Sequence, residues 1–170
     1  GTDSPPPTDA GHAPSDSGMG ASCATSGTDT RRDLRYRETP GVAAALQSLD
    51  VYRPVRAAGC PPTPVMIWVH GGGWSVGDKA NQMADKVALF NAQGWILVSV
   101  NYRLSVPGDP NKAQFPDHYR DVAAAVAWVH TDIARYGGDP TRTALLGHSA
   151  GADIVANVAT EPDHLASVGL

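Results

Sequence analysis

The chain has 170 residues and a net charge of −4, and 42% of its residues are hydrophobic. This length and composition predict one globular domain with its own core. Basic clusters are absent, so we expect neither nucleic acid nor an anionic membrane surface as a partner. No apolar run approaches the roughly 20 residues that a membrane-spanning helix needs.

The first 30 residues are rich in Pro, Ser, Thr, Asp and Gly and hold almost no large apolar side chain. Such a segment cannot bury enough surface to offset its ordering entropy, so residues 1–30 are predicted to be a disordered low-complexity tail. Tethers of this kind often follow a secretion or lipoprotein signal, which predicts a secreted or cell-envelope location, although a frayed terminus explains the segment equally well. The two cysteines, Cys23 and Cys60, either form a disulfide that pins the tail to the domain or are unrelated thiols.

Residues 31–170 predict alternating strands and helices. Two short strands, 33–37 and 46–52, come first, and the continuous apolar run 65–69 predicts a strand covered on both faces, as in a parallel sheet. The later elements are a helix over 79–93, a strand over 95–100, a loop over 104–114, a helix over 116–136, a strand over 143–147 and a helix from Ser149. This alternation predicts the α/β class, a mainly parallel sheet with helices on both faces.

Residues 147–151 form a G-x-S-x-G motif, Gly-His-Ser-Ala-Gly, between a predicted strand and a predicted helix. That context is typical of a nucleophile elbow, where a tight turn strains the serine backbone and aims the hydroxyl out of the sheet. The helix N-terminus beneath the serine favours developing negative charge. Ser149 is therefore the predicted nucleophile.

Residues 70–74 read His-Gly-Gly-Gly-Trp and follow a predicted buried strand. Glycines let the backbone bend close to a substrate and point N–H groups inward. Acyl transfer creates a tetrahedral oxyanion, and each N–H donor lost from its binding site costs about 3 kcal/mol of transition-state stabilisation. A flexible linker is the alternative interpretation, but the strand before the glycines and the helix after them favour an oxyanion loop.

With these motifs, the sequence resembles the α/β-hydrolase superfamily, and within it the H-G-G-G esterase branch. That branch includes hormone-sensitive-lipase-like esterases and the bacterial acetyl-xylan/feruloyl esterase and arylformamidase-like group. The resemblance covers about residues 46–170, which match the N-terminal part of such a domain. Its further marks are Gly77-Asp78-Lys79, Asn101-Tyr102-Arg103-Leu104, Phe115-Pro116 and Tyr136-Gly137-Gly138-Asp139-Pro140.

The resemblance implies that the backbone N–H groups of Gly72, Gly73 and Ala150 hold the oxyanion. It also implies that Trp74 and the 104–114 loop border the acyl or alcohol pocket. The implied activity is hydrolysis of a small-molecule carboxylic ester through an acyl-enzyme, without a cofactor. Hydrolysis of an amide or formamide at the same site is an alternative, and so is a catalytically silent binding module.

The acid and the histidine of the triad are expected after the serine, because that is the chain order of α/β hydrolases. Only 21 residues follow Ser149, so we expect a C-terminal remainder beyond Leu170 to supply both. The helix that starts at Ser149 is expected to lead away from the site and to carry His164, fifteen residues on, about 20 Å from the serine hydroxyl, so Asp163 and His164 are not expected to be the acid and base.

The remaining histidines are expected to play no part in proton transfer. His70 is predicted to hold its loop by hydrogen bonds, His148 to fill the variable motif position, and His118 and His130 to be solvated. Asp121 is expected to cap its helix or form a salt link. No pair of histidines has metal-binding spacing, so no metal site is predicted.

Overall fold

Five strands form one sheet in the computed structural model, which describes residues 22–110 and 112–170. The strands are β1 (Gly27–Arg35), β2 (Ser48–Val55), β3 (Thr63–Val69), β4 (Ile96–Val100) and β5 (Gly138–Gly147). The helices are α1 (Ala84–Ala92), α2 (Asp117–Asp132), α3 (Ala150–Thr160) and α4 (Pro162–Ala166). Two short 3-10 helices, Ala44–Gln47 and Ile133–Tyr136, precede β2 and β5.

The sheet has the order β1-β2-β4-β3-β5. Strand β3 pairs in parallel with β4 and β5, whereas β2 is antiparallel to both β1 and β4. Four of the five strands therefore run in the same direction, which confirms the predicted α/β class with a mainly parallel sheet. Because β3 leads to β4 and β4 then crosses back to β5, right-handed crossovers place α1 and α2 on opposite faces.

The apolar run in β3 is covered on both sides of the sheet. Val65, Ile67 and Val69 are fully buried in the core that β3 forms with α2 and α3. Met66 and Trp68 point to the opposite face, where they pack with Met83 and other side chains at α1. Helices on both faces thus explain why the run does not alternate between apolar and polar residues.

Helix α2 and the 3-10 helix that follows it together match the predicted helix 116–136 nearly to the residue. The fully buried stripe includes Val122 and Val129 of α2 and continues to Ile133 in the 3-10 helix, at the spacing of one helical face. The 3-10 helix extends it to Tyr136, and Gly137 at φ 81° ends it. Neither α2 nor any other helix of the described ranges is long and apolar enough to cross a membrane.

The starts of one helix and one strand were predicted wrongly, because contacts with distant segments override the local sequence pattern. Helix α1 begins at Ala84 rather than at residue 79, since Gln82 has φ 53° and the Lys79 backbone N–H donates to the Asn101 side chain. Strand β5 begins at Gly138, five residues earlier than predicted, and its first residue pairs with Thr63 of β3.

The ordered part of the chain also starts earlier than residue 31. Strand β1 begins at Gly27 because its first residues pair with β2, from Gly27 opposite Val55 onwards. A disulfide joins Cys23 to Cys60, with 5.7 Å between their Cα atoms, and so links the segment before β1 to the β2–β3 loop. The rest of the predicted tail, residues 1–21, lies outside the described residues.

Candidate active site

The backbone turns sharply at Ser149, between β5 and α3. Ser149 has φ 52° and ψ −122°, a strained conformation for an L-residue. Its side chain is exposed, whereas Ala150 and Gly151 behind it are buried. The Gly151 N–H donates to the His148 carbonyl and the Ala152 N–H donates to the Ser149 carbonyl, both at 2.9 Å. The turn therefore presents the serine hydroxyl at the surface, at the start of a helix.

Both glycines of the serine motif are required by close backbone contacts. A Cβ on Gly147 would overlap the Gly151 carbonyl oxygen, and a Cβ on Gly151 would overlap the Val69 carbonyl oxygen. The second contact brings the first turn of α3 directly against the end of β3. This close approach fixes the serine turn relative to the next strand of the sheet.

The two sequence motifs lie in contact at the ends of β3 and β5. Val69 pairs with Gly147, and the His148 N–H donates to the Val69 carbonyl at 3.3 Å. A Cβ built on Gly71 would lie 2.8 Å from the His148 carbonyl oxygen and 3.1 Å from Ser149 Cβ. The glycine segment therefore packs against the serine turn with no room for a side chain.

The glycine segment has an unusual backbone over three consecutive residues. Gly72, Gly73 and Trp74 have φ values of 122°, 57° and 61°. The Gly72 carbonyl accepts hydrogen bonds from the N–H groups of Ser75 and Val76, both at 3.1 Å. Within the described part of the chain, no hydrogen bond uses the backbone N–H of Gly72, Gly73 or Ala150. These three donors are available to a ligand.

His70 anchors the start of this loop, as predicted. Its ring is buried and its Nδ1 donates to the Gly71 carbonyl at 2.7 Å. The ring stacks on Tyr102 with a centroid distance of 4.5 Å, and the Tyr102 hydroxyl donates to the His70 carbonyl at 2.9 Å. Burial lowers the pKa of His70 and raises the pKa of Tyr102 to about 12, so both groups are neutral at pH 7.

Lys79 anchors the other end of the loop, which residue spacing did not reveal. Its Nζ lies 2.7 Å from Asp33 Oδ1 and 2.7 Å from Asp50 Oδ1, and its carbonyl accepts from Ser99 Oγ at 2.7 Å. Burial alone would lower the pKa of Lys79, but the two carboxylates outweigh it and raise that pKa. The segments Gly77-Asp78-Lys79 and Asn101-Tyr102-Arg103-Leu104, noted above as family marks, were the only sequence signal for this anchor.

A small cavity opens beside the loop, with a volume of about 220 Å³. Its lining residues are Gly73, Trp74, Ser105, Phe115, His118 and Tyr119. Phe115 is 77% exposed and meets the Tyr119 ring edge-on at 5.3 Å. Larger cavities lie beside α1 and elsewhere, but neither motif lines them. We therefore assign the small cavity to the site on its position and not on its size.

Tyr119 fixes the far wall of this cavity. Its hydroxyl donates to Asp153 Oδ2 at 2.7 Å. Burial, followed by the hydrogen bond and charge of Asp153, raises the pKa of Tyr119 to about 12. The wall is therefore neutral and aromatic over the physiological pH range.

The structure tests the predicted environments of three side chains that were given no catalytic role. His118 was predicted to be solvated, and this is wrong: it is 5% exposed, and Ser105 and Tyr102 contact its ring. His130, on the same helix, is exposed as predicted. Asp121 forms the predicted salt link, accepting from Arg103 Nε at 2.8 Å.

The position expected for His164 rested on a continuous helix, and that premise is wrong. Helix α3 ends at Thr160 and the chain turns into α4, which stacks the His164 ring on Tyr119 with a centroid distance of 5.5 Å. Among the described residues, no hydrogen bond joins Ser149 to a histidine. In the same ranges, no group of three His, Cys, Asp or Glu side chains is placed to hold a metal ion.

The BD-FAE family model matches residues 49–166, a span that contains both motifs and every element from β2 to α4 except one residue at the start of β2. The chain belongs to the BD-FAE family. This membership confirms the predicted resemblance to the esterase branch of the α/β hydrolases, whose motifs here form one contiguous surface.

Named relatives of this BD-FAE chain are esterases. It is 36% identical over 115 residues to the probable carboxylic ester hydrolase LipM of Mycobacterium tuberculosis, covering 68% of this chain and 26% of LipM. It is 39% identical over 108 residues to the esterase LipQ of the same organism, covering 64% of this chain and 24% of LipQ. The chain thus spans about a quarter of the length of the curated relatives it matches.

Solved structures support the same fold. Bacterial Heroin Esterase superimposes with a TM-score of 0.61 at 26% identity, covering 81% of this chain and 40% of that one. Esterase B from Lactobacillus Rhamnosis superimposes with a TM-score of 0.68 at 23% identity, covering 86% of this chain and 44% of that one. The sheet, the loop after β3 and the turn after β5 therefore belong to a fold found in esterases.

Proposed function

We propose that this BD-FAE chain carries the nucleophile and the oxyanion hole of a serine esterase, with Ser149 as the nucleophile. One observation carries the proposal: the strained, exposed serine turn packs directly against the glycine segment, with Gly71 in contact with His148 and Ser149. The esterase names of the relatives support an ester, rather than an amide or formamide, as the substrate.

In the proposed reaction, Ser149 Oγ attacks the ester carbonyl carbon and its proton passes to a general base. The carbonyl oxygen becomes an oxyanion that accepts hydrogen bonds from the N–H groups of Gly72, Gly73 and Ala150, which no other group in the described residues uses. The alcohol leaves with the proton, and water then hydrolyses the acyl-enzyme. The amide dipoles at the start of α3 add to the stabilisation of negative charge near Ser149.

The substrate's acyl or alcohol part is proposed to lie in the cavity bordered by Trp74. This cavity adjoins Gly73, one of the proposed donors, and its walls are largely aromatic. Its volume of about 220 Å³ suits a small ester group. The proposed ester hydrolysis needs no metal or cofactor at any step.

The general base and its acid partner are proposed to come from a remainder beyond Leu170. The support is that no described histidine is hydrogen-bonded to Ser149, and that Asp153 is engaged by Tyr119. In this arrangement the described residues supply the nucleophile and the oxyanion donors, and the remainder supplies proton transfer.

The test is hydrolysis of 4-nitrophenyl acetate by the full-length protein and by its Ser149→Ala variant. We expect the substitution to lower kcat by about 10⁴-fold or more, and a fluorophosphonate probe to label the wild type only. Ser26→Ala is the matched control, because Ser26 is an exposed serine next to β1, far from both motifs. Ester turnover that persists in Ser149→Ala would overturn the assignment, and a wild type that neither turns over ester nor accepts the probe would favour a silent binding module.

A secreted or cell-envelope location is proposed on separate grounds. The Cys23–Cys60 disulfide supports it, because such bonds persist in oxidising compartments. Fractionation of the native organism, with alkylation of free thiols before lysis, tests this. We expect the protein outside the cytoplasm with both cysteines protected from alkylation.

A further inference from the structure

Trp74 has a backbone conformation that a large side chain rarely adopts. Its φ of 61° follows two glycines that also have positive φ. A conformation of this kind persists only where neighbouring groups hold it. Here the Trp74 carbonyl accepts a 2.7 Å hydrogen bond from the Ser105 N–H, and the Ser105 carbonyl accepts from Ser75 Oγ at 3.2 Å. Ser105 therefore clamps the loop immediately after Gly73.

The contacts of the Ser105 hydroxyl show that Nε2 of the His118 ring carries a proton. Its Oγ lies 2.6 Å from the Ala113 carbonyl oxygen and 3.0 Å from His118 Nε2. A carbonyl cannot donate, so the single hydroxyl proton goes to Ala113, and the hydroxyl oxygen accepts from His118 Nε2–H. This assignment excludes Ser105 and His118 as a nucleophile–base pair, because the ring nitrogen facing the hydroxyl already holds a proton.

His118 is itself held firmly. It lies in the first turn of α2 and is 5% exposed. Its ring meets the Tyr102 ring edge-on at 6.0 Å, and Tyr102 in turn stacks on His70. The Tyr102 ring thus contacts both His70, at the start of the glycine loop, and His118, which is bonded to Ser105.

We propose that His118 is a positioning residue for the oxyanion loop, acting through Ser105 on Trp74 and so on the direction of the Gly73 N–H. The proposal rests on the esterase function proposed above. His118 touches none of the reacting atoms in this arrangement, and its hydrogen bond to Ser105 sets the geometry of the donors before substrate arrives.

The kinetic test uses His118→Leu and His118→Gln in the full-length protein. Leucine removes the donor, and we expect kcat for 4-nitrophenyl acetate to fall by about tenfold to a hundredfold. Glutamine can donate an N–H to Ser105, so it should restore most of kcat. His130→Gln, an exposed histidine on the same helix, is the control. A His118→Leu variant with the kcat of that control would overturn the proposal.

A double-mutant cycle tests the route through Ser105. If His118 acts through the Ser105 hydroxyl, His118→Leu combined with Ser105→Ala should lower kcat no further than the more damaging single substitution. If the fold-losses in kcat of the two single variants multiplied in the double variant, His118 would not act through the Ser105 hydroxyl.

Hydrogen exchange gives a readout that needs no catalysis. The Ser105 amide should exchange faster in His118→Leu, because its bond to the Trp74 carbonyl loosens, and should stay protected in His118→Gln. An equally slow Ser105 amide in His118→Leu would refute the clamp. If Ser149→Ala hydrolysed the ester as fast as the wild type, the esterase function would be refuted. The exchange rate of the Ser105 amide would then decide whether His118 holds the loop.

Discussion

Gly71→Ala tests the contact on which the candidate site depends. The added Cβ would lie 2.8 Å from the His148 carbonyl oxygen, 3.0 Å from His148 Nδ1 and 3.1 Å from Ser149 Cβ. Ordinary van der Waals contact for a Cβ begins at 3.4 Å, so the serine turn must retreat by about 0.6 Å. The nearest neighbour is backbone and cannot rotate aside. The methyl group therefore separates the glycine loop from the serine turn.

The expected cost follows from that displacement. A misplacement of about 1 Å costs roughly a hundredfold in rate, so about 0.6 Å should lower kcat/KM by about tenfold to twentyfold. Gly71 does not have a positive φ, so alanine adds no backbone strain of its own. The loss should therefore come from geometry at the site.

The assay is steady-state hydrolysis of 4-nitrophenyl acetate by the full-length protein, paired with thermal unfolding of each variant. Gly27→Ala is the matched control, because a Cβ there meets nothing within 4 Å. A Gly71→Ala enzyme with wild-type kcat/KM would refute the contact. A Gly71→Ala enzyme that loses activity only in proportion to its unfolded fraction would refute the geometric explanation.

Three further predictions concern stability. Cys60→Ser should lower the free energy of unfolding in urea by about 4 kcal/mol, the chain-entropy value for a cross-link between residues 37 apart, and a midpoint equal to that of the oxidised wild type would contradict it. Lys79→Met should cost about 3 kcal/mol in the same assay, because it removes the nearest cation from the fully buried Asp50, which keeps Arg32 at 3.7 Å; a cost below about 1 kcal/mol would contradict this prediction. Burial lowers the pKa of both His70 and His118, so the unfolded chain takes up protons at higher pH than the folded one. The free energy of unfolding should therefore be fully retained above about pH 7 and fall as the pH drops below the unfolded value of 6.5, and this fall should be smaller in His118→Gln.

The elements nearest the chemistry could be predicted because their sequence requirements are local. Strand β3 is a short apolar run that needs cover on both faces, and Gly147 of the serine turn is required by the Gly151 carbonyl oxygen only four residues later. These constraints leave few alternative structures. The fold class and the neighbourhood of the two motifs follow from them.

The residues that sequence reasoning misplaced depend on contacts made from a distance. His118 occupies the polar first turn of α2, and its ring is buried by contacts from other segments, including Ser105 and Tyr102. The sequence pattern predicts Lys79 as an exposed lysine at the start of a helix. In the structure it is buried because Asp33 and Asp50 contact it from the hairpin of β1 and β2. Periodicity contains no information on such partners, because they are set by how distant segments meet.

Similarly, the break between α3 and α4 leaves only a weak signal in the sequence. Glu161 and Pro162 end one helix and begin the next, and Pro162 is a normal first residue for a helix. The direction of α4 depends on the packing of Leu165 and Val168 against the core, which involves residues from both α2 and α3. A straight extension of α3 was therefore the wrong geometry for His164.

The parallel pairing of β3 with β5 has a consequence for experiments on this chain. The serine turn and the glycine loop are distant in sequence and meet only once that ladder has formed, with Val69 opposite Gly147. Closing so long a loop is entropically costly, and a partly folded chain lacks the native contacts that offset this cost. A phosphonate that reacts with the Ser149 hydroxyl would therefore label only fully folded molecules. In a preparation that mixes folded and unfolded chains, the labelled fraction would measure the folding yield and not the kcat of the folded enzyme.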